Sequence, residues 1–117
     1  MKDYSSHFRN LVELRLPDES RILTPRGGQD MMILASWRLP ADAFRASKRS
    51  RMIRIVINEE AQQEYARGSD DARLASDERF GAWLQDQLGA FDPNHDSPLG
   101  VEPAPVTWPV STHILNG

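Results

Sequence analysis

"RMIRIVINEEAQQEYARGSD" (51–70) contains the change of period that decides the fold. Ile53, Ile55 and Ile57 fall at every second position, with Met52, Arg54 and Val56 between them. β-Branched side chains are stiff at χ1, and at period two they suit a strand with one buried face. At Asn58 the pattern switches. Asn58 suits an N-cap because its side chain can accept from an orphan backbone N–H, and Glu59 and Glu60 then occupy the first turn, where the helix dipole favours carboxylates. Ala61 and Tyr65 fall on one helical face, and Gly68 is placed to end the helix.

Upstream, "MMILASWRL" (31–39) has apolar residues at Met31, Ile33, Ala35, Trp37 and Leu39. Its intervening positions begin apolar with Met32 and Leu34 and turn polar at Ser36 and Arg38. A strand covered on both faces at one end only has this pattern. Between the two strands lies "PADAFRASKRS" (40–50), too long for a tight hairpin turn. The expectation is an antiparallel pair joined by a long arm or a short helix.

Farther out the pattern weakens. The first ten residues are polar and unpatterned and are expected to be mobile. "LVELRL" (11–16) alternates and predicts a short strand. "RILTPRGGQD" (21–30) predicts a loop with a few extended residues.

Downstream, a second helix starts at Ser69 with Asp70 and Asp71, or at Ser76 with Asp77 and Glu78. It runs toward Phe91 with Phe80, Trp83, Leu84, Leu88 and Phe91 at three- and four-residue spacings. Gly81 in its interior costs about 1 kcal/mol relative to Ala, so close packing against the sheet is expected there. Pro103, Pro105 and Pro109 suit an extended or edge segment at the C-terminal end.

Strands, then helices, then an extended end predict an α+β fold. The expected architecture is a small antiparallel β-sheet covered on one face by a long amphipathic α-helix and a shorter helix. One domain over 1–117 is expected, with residues 1–10 and 111–117 flexible. The length suits a single core.

The 117 residues include no cysteine, which excludes disulfides, zinc–thiolate sites, iron–sulfur clusters and cysteine nucleophiles. No stretch is apolar for long enough to span a membrane, and no apolar segment follows the charged N-terminus as in a signal peptide. A cytoplasmic bacterial protein is the expectation. The net charge of −3 is unevenly spread: residues 1–54 carry a balance of +5 and residues 55–117 a balance of −8. Twelve of the 14 basic residues are Arg, a bias that GC-rich genomes also produce, so the ratio carries no binding argument.

Few stretches suggest chemistry. "FDPNHDSPLG" (91–100) sets Asp92, Asn94 and Asp96 at alternate positions, as in a calcium loop. Counted from Asp92, the sixth position is Ser97 instead of Gly and the twelfth is Pro103 instead of Glu, so the loop lacks its sharp turn and its bidentate ligand. A polar turn ending the helix is the favoured reading. His7, His95 and His113 are far apart in sequence, and no catalytic or phosphate-binding motif occurs. No catalytic residue, cofactor or metal is assigned. The one charged run without an acid is "RASKRSRMIR" (45–54), with Arg45, Lys48, Arg49, Arg51 and Arg54 as candidate binding residues. The expected role is a non-catalytic protein-binding or regulatory module, with a protein partner or self-association through an exposed strand edge. The alternatives are nucleic-acid or phosphate binding through 45–54, and a small enzyme whose site assembles from scattered His, Asp and Ser.

Overall fold

The computed structural model describes residues 4–17, 20–25, 28–39, 50–93 and 104–116. Its elements run α1 (Ser5–Glu13), β1 (Arg21–Leu23), β2 (Met31–Ser36), β3 (Ile53–Ile57), α2 (Glu59–Arg67), α3 (Asp70–Ala90), β4 (Val106–Val110) and α4 (Thr112–Asn116). The fold is α+β, as the order of patterns predicts.

The four strands lie in the order β1-β2-β3-β4. β2 pairs antiparallel with β3, setting Ile33 opposite Ile55. The far end of this pair is closed by Ser50, whose N–H donates to the Trp37 carbonyl at 2.7 Å and whose Oγ accepts from the Trp37 N–H at 3.0 Å. β4 corrects the expectation of a wholly antiparallel sheet, because it pairs parallel with β3, Ile55 facing Trp108. Parallel neighbours need a crossover connection, and the chain from α2 through α3 provides it. The two helices were legible in sequence. Their role as a crossover depends on where the chain returns.

Register sorts the side chains by face. Ile22, Ala35, Ile53 and Val106 form one cross-strand row, with Ile33, Ile55 and Trp108 in the next. Apart from Val106, which is partly buried, these join Phe8 and Val12 of α1, Ala61 and Tyr65 of α2, Phe80 and Leu84 of α3 and Leu115 of α4 in one buried cluster. A file of rings threads it: Tyr4, Tyr65, Phe8, Phe80, Trp83, Trp108, Phe91 and Trp37, successive centroids 4.9 to 6.4 Å apart. Five of the seven successive pairs are edge-to-face, and such pairs add about 0.5–1.5 kcal/mol each beyond area burial. Trp37, Phe80 and Trp83 do share one core, and their role is packing.

The helix starts follow the local signals. Asn58 Oδ1 accepts from the Ala61 N–H at 2.8 Å, and Ser69 Oγ accepts from the Ala72 N–H at 3.1 Å. Of the two candidate starts for α3 it is therefore Ser69 that caps, and Ser76 is buried inside the helix. Gly68 ends α2 in an extended conformation, φ −70°, so it does not serve as a left-handed cap. A Cβ there would come within 3.2 Å of the Ala72 methyl, and this close approach favours glycine. The α2 carbonyls of Ala66 and the following Gly68 accept from Arg73 instead.

Three sequence expectations change. Residues 5–13 form α1, so "LVELRL" ends a helix and makes a turn instead of a strand. Phe8 and Val12 are fully buried, and that burial outweighs the polar composition around them. Residues 112–116 form α4, whose Leu115 is also fully buried. At Gly81 the close neighbour is not the sheet: an added Cβ would lie 2.6 Å from the Arg15 guanidinium, beyond the end of α1.

Candidate functional site

The basic segment is only partly described. Arg45, Lys48 and Arg49 lie outside the described residues, as do residues 94–100 of the Asp92 loop. Arg51 precedes β3, where its N–H donates to the Pro93 carbonyl at 3.0 Å. Arg54 is inside β3 on the face opposite the core. There Leu23, Leu34, Arg54 and Thr107 form one cross-strand row, and Met32, Val56 and Pro109 form the next. Leu23 is 49% exposed, while Met32, Leu34, Arg54 and Val56 are half-buried. The Nε of Arg54 is buried and has no hydrogen-bond partner among the described residues. A guanidinium N–H shielded from water without an acceptor carries a penalty of about 1–3 kcal/mol or more.

The sheet edges differ from the face. Val106 N–H donates to Met52 and Val110 C=O accepts from Asn58, so the even positions of β4 bond toward β3. In a parallel pair a residue's N–H and C=O point to the same side, which turns Thr107 and Pro109 outward. Pro109 has no N–H to offer, and β1 at the other edge is three residues long. Both features blunt a sheet against strand addition.

A second cluster was not anticipated from sequence. His7 on α1, Tyr65 on α2 and Asp77 on α3 meet where the three helices converge. His7 Nε2 lies 3.0 Å from both oxygens of Asp77, and the Tyr65 hydroxyl donates to Asp77 Oδ1 at 2.9 Å. In a neutral ring the carboxylate favours the tautomer with its proton on Nε2, which leaves Nδ1 as an acceptor. His7 remains 41% exposed. Burial first, then the hydrogen bond to Asp77 and that carboxylate's charge, hold the Tyr65 phenol well above the ordinary tyrosine range, so it stays a donor. Tyr4 stands edge-on to both the Tyr65 and the His7 rings. These groups, with Asp70 and Arg73, border a shallow depression of about 450 Å³.

Seventy residues separate His7 from Asp77, so no spacing rule joins them. The available signal was indirect: Tyr4, Phe8, Leu11 and Val12 have helical spacing, which places His7 on a helix beside a buried face. An imidazole oriented by a carboxylate can act as a hydrogen-bond acceptor or as a base. No group of three or more metal-binding side chains occurs among the described residues, and none of their helices is long and apolar enough to cross a membrane. Comparison with protein-family models, curated proteins and solved structures finds no match.

Proposed function

We propose that this chain is a non-catalytic binding module that engages a protein partner through the sheet face bearing Arg54. The observation that carries the reading is the unsatisfied Nε of Arg54 among Leu23, Leu34, Met32 and Val56. Apolar side chains around a guanidinium favour a partner surface that brings a carboxylate into an apolar setting. Such charge-assisted bonds are stronger where water is excluded. The blunted β4 edge supports contact through the face in preference to an added strand.

The test is affinity capture with wild type, Arg54→Glu and Leu34→Asp, each checked for an unchanged circular dichroism spectrum. A partner held by wild type and lost from both variants supports the reading. Equal capture by all three sinks it. Phosphate is also an acceptor for arginine, which favours nucleic-acid binding as a second reading. That reading expects salt-sensitive retention on heparin, lost in the triple variant Arg45→Ala, Lys48→Ala, Arg49→Ala. Passage through heparin at low salt removes it.

A further inference from the structure

The depression at the α1–α3 seam has a consistent chemical polarity. Its strongest donors are engaged: Tyr65 O–H and His7 Nε2 both meet Asp77, and Arg73 is held by the Gly68 carbonyl and by Asp70, while the bordering Ser6 hydroxyl can accept as well as donate. The acceptors on its border include the carboxylate oxygens of Asp70 and Asp77 and the second ring nitrogen of the half-exposed His7. The Asp70 side chain is 98% exposed, and two carboxylates outweigh the one guanidinium. Tyr4 and His7 add ring surface set at 74° to each other, backed by the buried Tyr65 ring. Acceptors, a net negative border and perpendicular aromatic rings all favour the same ligand, a cation with N–H donors and an alkyl body.

We propose that this depression binds an alkylammonium group, as carried by a free amine or by a lysine side chain. This goes beyond the sheet-face reading and does not depend on it. The carboxylates supply charge, Nδ1 accepts an N–H, and the rings and Leu74 cover the alkyl chain. Asp77 acts as a positioning residue: it holds the His7 ring in the tautomer whose open nitrogen accepts.

The test is an NMR titration of the full chain at one fixed, mildly alkaline pH. The probes are n-butylammonium, a lysine blocked at both main-chain ends, and acetate as a control. The expected result is a saturable shift confined to Tyr4, His7, Asp70 and Leu74 with either amine and none with acetate. Tyr4→Leu and Asp70→Asn should each weaken binding by roughly two- to fivefold, the effect of removing one cation–π or exposed charge contact. Asp70→Asn alters a side chain that is 98% exposed, so the fold should be retained, checked by an unchanged circular dichroism spectrum. Tighter binding of the blocked lysine identifies a protein-borne lysine as the ligand, and equal binding identifies a free amine. Shifts that never saturate, that acetate reproduces, or that both substitutions leave unchanged overturn the proposal.

Discussion

The centre of the chain and its two ends build the same core by different means. In β2, β3 and α2 the backbone state follows from neighbouring residues: alternation gives the strands, and Asn58 starts the helix within one residue of the last buried isoleucine. In α1 and α4 few residues carry the structure. Phe8 and Val12 anchor a helix of nine residues, and Leu115 anchors one of five. Helices this short are marginal in water, so tertiary contact supplies most of their stability. The contrast teaches that a polar, unpatterned end can still complete a core when one or two large side chains reach it.

The sharpest break of that comparison is Phe8→Ala. Phe8 is fully buried between the Tyr65 and Phe80 rings, and its truncation should cost about 3–5 kcal/mol, measured as a lowered denaturation midpoint. A cost near zero would mean that α1 is not part of the core in solution. Leu115→Ala tests the other end. It should cost about 2–5 kcal/mol in urea unfolding, because the Leu115 side chain is fully buried.

Changes in the centre should be smaller. Ser50→Ala leaves the Trp37 N–H without its side-chain acceptor and should cost about 1–3 kcal/mol by the same assay. Asn58→Ala removes a cap and should cost about 1 kcal/mol, with a matching small loss of helical signal. If Asn58→Ala cost more than Phe8→Ala, the division between local and tertiary control would be reversed.

Tyr65→Phe removes the hydrogen bond to Asp77, and it also changes the response to alkali. Burial and Asp77 raise the folded Tyr65 pKa above its unfolded value, so the neutral phenol's contribution is intact below about pH 10 and lost as pH climbs through the folded value. Wild type should lose stability in that range more steeply than Tyr65→Phe, read as phenolate absorbance alongside the unfolding midpoint. Parallel curves would show that Tyr65 ionises like an exposed phenol.

The candidate sites show the same division. Arg54 was legible as a basic residue within an alternating strand, yet its unsatisfied Nε depends on which side chains β2 and β4 place beside it. His7, Tyr65 and Asp77 carry no shared signal, since each has a sufficient local role in its own helix. Asp77, beside Glu78, resembled the first turn of a helix that in fact starts at Ser69.

By itself the sequence determined the α+β class, the buried faces of β2 and β3, the capped start of α2 and two candidate starts for α3. Each of these depends on residues within about four positions of one another, the reach of a helical turn or a strand's alternation. Only the tertiary structure decided the parallel return of β4, the helical state of both chain ends and the meeting of His7 with Asp77. Those depend on contacts between residues far apart in the chain, whose energy is gained only once the core has closed around them.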